Sequence, residues 1–236
     1  TTKQTRSILD KALFSLGFIP RTSVTKYVRV AVYDKFKAQV PVIEQSTRYT
    51  SLLYSFAGKQ LLLAGVHLIS MVSESEEYDR LISARDDIKS LEEFENLNKI
   101  DNTVLIGDFN MNTFEIGMVS HRGLNSTFCK RTAKLAPISK AKKKYFFNPS
   151  WRAFANDSLR NKPPGTIYYD KPKKSAILYW NMLDQVLIRP NLLSSATDKS
   201  FEIITRTKTK NLLTNNGIPD AINYSDHLPI KFKLKI

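Results

Sequence analysis

The strongest chemical signal is a pair of polar side chains, Asp108 and Asn110, at the end of the apolar run 103–106. The two residues are spaced by two, so their side chains leave an extended chain on the same face. They would lie at the carboxyl edge of a sheet, where α/β proteins bind ligands. The sequence therefore predicts a ligand site here. A capped turn is the simpler alternative, because Asp and Asn are also common turn residues.

Two of the three histidines, His67 and His227, occur in conspicuous positions. His67 ends an apolar run, and His227 follows Asp226 directly before the last predicted strand. A carboxylate beside an imidazole raises its basicity and can hold one tautomer. Asp184 lies in an apolar stretch, where an unpaired carboxylate would be costly, so we expect a histidine to pair with it. The alternative is that each histidine is structural or lies on the surface.

The elements that would position these residues alternate between helices and strands. Helical spacing and strand-like alternation predict helices over 7–17 and 73–98, and strands over 26–33, 48–56, 60–68, 104–106, 182–188, 201–205 and 228–234. Strands 48–56 and 60–68 are predicted to form a hairpin. The strand, long helix and strand that end at Asp108 predict a β-α-β crossover.

At 236 residues and 42% hydrophobic content, the chain can bury a substantial core, and we expect one domain over residues 1–236. Its longest apolar run, 61–69, is far shorter than the roughly 20 residues that a membrane helix needs. The single cysteine, Cys129, excludes an intramolecular disulfide. These features predict a cytoplasmic protein without a membrane span. The first residue is Thr rather than Met, so we expect a processed product or a fragment.

Positive charge is concentrated in segment 122–174, which holds 14 of the 36 Lys and Arg residues and only two acids, in a chain of net charge +14. Such a segment attracts polyanions. Its cations could contact phosphates while its aromatic rings stack on bases. We predict nucleic-acid binding by Lys142, Lys143, Lys144, Tyr145, Trp151 and Arg152. The alternatives are a solvated, basic, aromatic-rich insertion and a satellite core under a long loop.

Four short motifs occur in order: Val66-His-Leu68, Gly107-Asp-Phe-Asn110, Leu183-Asp-Gln-Val-Leu187 and Ser225-Asp-His-Leu-Pro229. Together they resemble the endonuclease/exonuclease/phosphatase superfamily, which has the deoxyribonuclease I-like fold. The resemblance extends from about residue 26 to the end of the chain, and the basic segment matches it least. It implies an α/β (α+β) four-layer sandwich, in which two mixed β-sheets pack face to face with helices on the outside.

The resemblance also implies roles for individual residues in a metal-assisted attack of water on a phosphorus ester. His227 would bind the phosphoryl group or accept the proton of the water, and Asp184 would orient His227. Asp108 would help to activate the water, and Asn110 would donate a hydrogen bond to the phosphate. His67 would lie near the leaving oxygen.

A divalent cation, Mg²⁺ or Mn²⁺, is the implied cofactor, with Asp226 and Asp108 as its ligands. The family pattern begins with one strand that ends in Asn and a second that ends in the Glu that is the main metal ligand, and this chain opens on the helix that follows them. These N-terminal strands would have been cut away, be supplied by a protein partner or upstream segment, or have been lost; we expect truncation. The 236-residue chain alone is expected to bind metal weakly and to turn over slowly.

The resemblance and the charge together predict a magnesium-dependent phosphodiesterase, most simply a nuclease, with DNA slightly favoured over RNA as its partner. One alternative is a phosphatase or phosphodiesterase that acts on inositol phosphates, nucleotides or phospholipid headgroups. The other is a catalytically inactive relative that only binds nucleic acid.

Overall fold

The computed structural model describes residues 3–22, 28–70, 77–135, 143–155, 162–171 and 177–235. The helices are α1 (Lys3–Ser15), α2 (Glu77–Asn98), α3 (Ile116–Val119), α4 (Lys130–Ala133) and α5 (Trp151–Phe154). The strands are β1 (Ile19–Pro20), β2 (Tyr33–Asp34), β3 (Val42–Gln45), β4 (Tyr49–Phe56), β5 (Lys59–His67), β6 (Thr103–Asp108), β7 (Ser126–Thr127), β8 (Phe146–Phe147), β9 (Ile167–Tyr169), β10 (Tyr179–Asn181), β11 (Asp184–Ile188), β12 (Phe201–Ile203) and β13 (Ile230–Phe232).

A seven-stranded mixed sheet in the order β3-β4-β5-β6-β11-β8-β7 forms the frame of the molecule. Strands β4 and β5 make the predicted antiparallel hairpin, whose turn has positive φ angles at Ala57 (45°) and Gly58 (80°). Positive φ at both central residues is the turn geometry that matches the twist of a two-residue hairpin. Strand β6 then pairs parallel to β5 after α2, which confirms the predicted crossover.

Each face of this sheet buries a separate apolar cluster. On one face, α2 packs its buried Ala84, Ile88 and Leu91 against sheet residues such as Leu105 and Leu187. The opposite face carries a second cluster, against which the partly buried side chains of β12 and β13 pack. The central part of the sheet is therefore covered on both sides, whereas the edge strand β3 is partly exposed.

The second layer consists, among the described residues, of short antiparallel pairs: β1 with β2, β9 with β10, and β12 with β13. Val30 passes so close above β5 that a Cβ added to Gly65 would lie 2.6 Å from its Cγ1. The α/β (α+β) class, with a mixed sheet and outer helices, is confirmed. The second sheet is more fragmented than predicted because β12 and β13 bury their apolar side chains only partly.

One predicted strand needs correction, and one predicted helix start is not described. Of the strand predicted over 26–33, the described residues 28–33 form a strand only at the end, as Tyr33–Asp34, and the alternation of the valines reflects packing over the large sheet rather than a long ladder. The long helix begins at Glu77 in the described residues, and its predicted start at Ser73, with Glu76 as capping partner, lies outside them. None of the helices that the structure describes is both long and apolar enough to cross a membrane.

Candidate active site

Three polar residues lie side by side across adjacent strands at one edge of the large sheet. His67, the last residue of β5, is the register partner of Asp108, the last residue of β6. On the other side of β6, Asp108 is the register partner of Asp184, the first residue of β11. Directly opposed residues on neighbouring strands have Cβ atoms about 5 Å apart, so the three side chains share one surface. We call His67, Asp108 and Asp184 the cross-strand row.

His227 joins this row through a direct hydrogen bond, which provides the histidine partner that the sequence predicted for Asp184. Its Nδ1 lies 2.7 Å from Oδ2 of Asp184. The backbone at this point is fixed by an antiparallel bridge between His227 and Ile167, and by the Leu228 N–H, which donates to the Thr166 carbonyl at 2.8 Å. The loop before the last strand therefore places the His227 imidazole beside the row.

Asn110 holds Asp108 in place. Its backbone N–H donates to Asp108 Oδ1 at 2.8 Å, and its side-chain Nδ2 donates to Asp108 Oδ2 at 3.0 Å and to the Leu68 carbonyl at 3.0 Å. Asn110 adopts φ 52°, in the left-handed region that Asn tolerates better than most residues. The spacing of two therefore serves a turn that fixes Asp108, which was the simpler alternative from the sequence, and the ligand site predicted at these residues stays a prediction.

Gly107 allows the close approach of β5 and β6 directly before Asp108. Its φ is 141°, and a Cβ at this position would lie 2.2 Å from the Val66 carbonyl oxygen. Any larger residue would push β6 away from β5. The glycine of the Gly107-Asp-Phe-Asn110 motif thus sets the spacing between His67 and Asp108.

Burial and neighbouring charge shift the acid–base properties of the row. Burial, followed by the negative charge of Asp184, raises the pKa of Asp108 well above its usual range. Burial, followed by the positive charges of Arg29 and His227, lowers the pKa of His67, which keeps this imidazole neutral. Asp108 is therefore suited to accept a proton, and His67 to act as a neutral hydrogen-bonding group.

The pKa of His227 shifts in the opposite direction. Burial by itself lowers the pKa, but the hydrogen bond and charge of Asp184, with the charges of Asp108 and Asp226, outweigh it and raise the pKa to about 9. At neutral pH this imidazole is a cation. Only 28% of its side-chain surface is exposed, so the charge is partly shielded from water.

This shift predicts a pH dependence of stability. The folded-state pKa of about 9 exceeds the ordinary 6.5, so the stabilisation from the His227–Asp184 pair is complete below about pH 6.5 and is lost as the pH rises through 9. Urea unfolding of the wild type at pH 6.5 and 9.5 should show this loss, and Asp184→Asn should lack it. An equal loss of unfolding free energy in the wild type and in Asp184→Asn would contradict the assignment of this pH dependence to the His227–Asp184 pair.

Asp226, the predicted metal ligand, is exposed beside His227, and its charge contributes to the raised pKa of that histidine. Within the described ranges, no three His, Cys, Asp or Glu side chains are grouped so that they could hold a metal ion. Both oxygens of Asp108 accept hydrogen bonds from Asn110. The described residues therefore do not form a complete metal site.

Buried amides behind the row were not anticipated from the sequence. Asn112 donates from Nδ2 to Asn181 Oδ1 at 2.8 Å and accepts the Met182 N–H at 2.8 Å. Gln185 donates from Nε2 to the Met111 carbonyl at 2.6 Å and accepts from Asn148 at 2.7 Å. These bonds fix the chain after β6 against the start of β11. The signal was available in the amides that flank Asp184, but their partners are far away in sequence.

The structure does not bring Lys143 and Lys144 of the basic segment to the row. Lys143 is 12% exposed and lies 3.4 Å from Glu92, and it also donates to the Gly123 carbonyl. Lys144 pairs with Asp101 at 2.7 Å. Both lie near Arg189, which directly follows the end of β11, five residues after Asp184 and hence about 17 Å from the row along the sheet. Tyr145 is partly buried against the core there.

Trp151 and Arg152 belong to another cluster, beside α5. The Trp151 ring lies 5.4 Å from the Phe128 ring, which favours the satellite-core interpretation for this residue. Arg152 is exposed and pairs with Asp198 at 3.0 Å. Lys142 lies outside the described residues. Nucleic-acid binding by these residues stays a prediction, and Lys143 and Lys144 are committed to ion pairs.

No protein-family model and no curated protein matches this chain. Among solved structures, a mannosyl-6-phosphatase from Bacteroides thetaiotaomicron is similar to it at a TM-score of 0.55 and 14% identity, over 98% of this chain and 80% of that chain. One residue from each of the four motifs lies at the same edge of the sheet. Together with this arrangement, the structural similarity establishes the fold. The chain has the fold of the endonuclease/exonuclease/phosphatase superfamily.

Other structures of this superfamily fold are similar at lower scores. A D. rerio TDP2 complexed with single strand DNA product has a TM-score of 0.49 and 14% identity, over all of this chain and 83% of that chain. An endonuclease/exonuclease/phosphatase family protein from Bacteroides thetaiotaomicron has a TM-score of 0.44 and 15% identity, over 79% of this chain. The match spans about half (52%) of that protein. The predicted fold is confirmed by the solved structure at a TM-score of 0.55.

Proposed function

We propose that this chain hydrolyses phosphoester bonds by attack of water. The observation that carries the proposal is the cross-strand row with His227 bonded to Asp184 at 2.7 Å. Fold similarity at 14% identity does not transfer an activity, so the argument rests on what these side chains do.

His227 binds the phosphoryl group in this proposal. The sequence left open whether this histidine binds phosphate or accepts the proton of water. A pKa of about 9 makes it a cation at neutral pH, which favours phosphate binding and leaves no free site for a proton. Asp184 fixes the ring through Nδ1 and leaves Nε2 as the donor towards the substrate.

Asp108 is the proposed base. Its raised pKa brings its proton affinity close to that required at neutral pH, which is the property of an effective general base. Asn110 orients the carboxylate through two hydrogen bonds. His67 is neutral and lies on the opposite side of Asp108 from Asp184, which supports its proposed role near the leaving oxygen.

Nucleic acid is the proposed substrate, supported by the net charge of +14. A phosphatase acting on a small phosphate ester is the second candidate. It is favoured by the position of Lys143 and Lys144, which are ion-paired at the far end of the sheet and do not extend a cationic surface from the row. The mannosyl-6-phosphatase of similar fold is a precedent for such a substrate.

A hydrolysis panel tests both candidates. Plasmid DNA, single-stranded RNA, an inositol phosphate, a hexose 6-phosphate and sphingomyelin are incubated with the chain in Mg²⁺ and in Mn²⁺. We expect cleavage of nucleic acid that Asp108→Asn removes. Release of phosphate from the small esters alone would favour the phosphatase, and no reaction with any substrate would reject the proposal.

The metal requirement predicted from the family stays a prediction. Because the described residues form no complete metal site, we assign no step to the cation. We expect the 236-residue chain to bind Mg²⁺ with a Kd of the order of millimolar or weaker, in the range of loosely held divalent sites. Isothermal titration with MgCl₂ measures this, with Asp226→Asn as control. Tight binding, or robust magnesium-dependent turnover by this chain alone, would show that a full ligand set is present.

A further inference from the structure

The hairpin of β9 and β10 is bonded directly to the candidate active site. Ile167 in β9 forms the antiparallel bridge with His227. One residue earlier, the Thr166 hydroxyl accepts the N–H groups of Leu183 at 3.2 Å and Asp184 at 3.1 Å. Thr166 is fully buried, so these bonds are shielded from water. The hairpin therefore has a fixed position relative to both members of the His227–Asp184 pair.

Strand alternation decides which tyrosine of this hairpin faces the site. Residues paired across an antiparallel bridge project to the same face, and so do residues spaced by two in one strand. Tyr169 therefore shares a face with Ile167 and His227, and it packs against the cluster of Ile167 and Leu183. Tyr168 points to the opposite face, where its ring contacts Trp180 edge-on at 5.3 Å.

Electrostatics agree with this placement. Burial, followed by the charges of Asp108, Asp226 and Asp184, raises the pKa of Tyr169 to about 12. Those three carboxylates are the acids of the candidate site. A phenol beside them keeps its proton throughout the neutral range and acts as a hydrogen-bond donor.

We propose that the Tyr169 hydroxyl donates a hydrogen bond to a non-bridging oxygen of the phosphoryl group that His227 binds. This assignment rests on the proposed function and adds a residue to it. His227 and Tyr169 then approach the phosphoryl group from the same side, and His67 lies across the row, towards the leaving oxygen. The hydroxyl recognises the phosphoryl group itself, so its effect is independent of the leaving group.

The test measures the dissociation constant of inorganic phosphate for the whole chain by NMR titration. Tyr169→Phe removes one hydroxyl and keeps the ring that packs on Leu183. Tyr168→Phe, one residue away on the opposite face, is the matched control. We expect the dissociation constant for phosphate to rise about tenfold in Tyr169→Phe, the range for loss of a hydrogen bond to a charged group, and by less than about twofold in Tyr168→Phe. Both variants should keep the wild-type melting temperature.

Hydrolysis of bis(p-nitrophenyl) phosphate and of an unactivated dinucleotide gives a second measurement, with His227→Ala as reference. Equal losses for both esters in Tyr169→Phe support phosphoryl binding. A loss confined to the dinucleotide would overturn the assignment, because it would indicate proton donation to a poor leaving group. If His227→Ala weakens phosphate binding while Tyr169→Phe does not, or if both tyrosine variants weaken it equally, the assignment to Tyr169 fails and the proposed function stands. If phosphate does not bind the wild type, both fail.

Discussion

Replacement of His227 by alanine should abolish phosphoester hydrolysis while the chain remains folded. The imidazolium provides a positive charge and a donor at the phosphoryl group, and its orientation by Asp184 cannot be reproduced by solvent. Loss of a preorganised donor that stabilises charge in the transition state lowers rates by about 10²–10³-fold. We expect a fall of that size in kcat/KM, with little change in the salt-sensitive binding of DNA, which depends on charge over a wider surface.

His121→Ala is the matched control, because this histidine is exposed and contributes nothing to the cross-strand row. It should leave kcat/KM unchanged. Circular dichroism and melting temperature verify that both variants are folded. If His227→Ala hydrolyses the substrate at the wild-type rate, the assignment of His227 to the active site is wrong; if neither protein hydrolyses it while both bind DNA, the chain is better described as a nucleic-acid-binding relative with the same fold.

Replacement of Arg189 by methionine should cause the largest loss of stability. Arg189 and Glu95 are each 1% exposed and are joined by hydrogen bonds of 2.7 and 2.9 Å. The guanidinium also donates to the carbonyls of Lys144 and Tyr145 and lies 3.6 Å from the centre of the Phe146 ring. Removing one partner of a buried ion pair leaves the other charge without compensation, at a cost of about 3–5 kcal/mol.

Urea unfolding measures the loss of stability, and a second substitution tests whether the unpaired charge of Glu95 causes it. Arg189→Met combined with Glu95→Leu removes both charges and should recover much of the lost free energy of unfolding. The exposed pair Lys89–Glu93 is the control, and breaking it should change stability by less than about 0.5 kcal/mol. A loss below about 1 kcal/mol in Arg189→Met would mean that water or a rearranged side chain compensates Glu95.

The sequence was most informative where chemistry and local pattern coincide. Asp184 could be identified because a carboxylate in an apolar strand requires a partner, and His227 provides it. The hairpin and the crossover followed from turn residues and from helical and strand periodicity. Both are local signals, so they do not depend on how distant parts of the chain meet.

The parts that could not be predicted depend on long-range pairing. The direction of β8 along β11 places Lys143 and Lys144 at the far end of the sheet, and no local pattern encodes that direction. Tyr169 looked like one aromatic among several until its bridge neighbour was known to pair with His227. The fragmentation of the second layer likewise depends on partial burial in β12 and β13, which alternation alone does not reveal.

The candidate site can assemble only when the three strands that carry the cross-strand row pair in the correct register. His67, Asp108 and Asp184 meet only while β5, β6 and β11 keep their observed alignment, and a one-residue slip would turn a member of the row to the other face. The chain between Met111 and Met182 is tied to the same frame, by buried amide hydrogen bonds at both ends and by Thr166 and Ile167 within it. Single deletions within β6 or β11 should therefore silence the site, and so should deletion of Thr166 or Ile167. The number of residues in each of these elements is thus fixed by the site, and length can change only outside them.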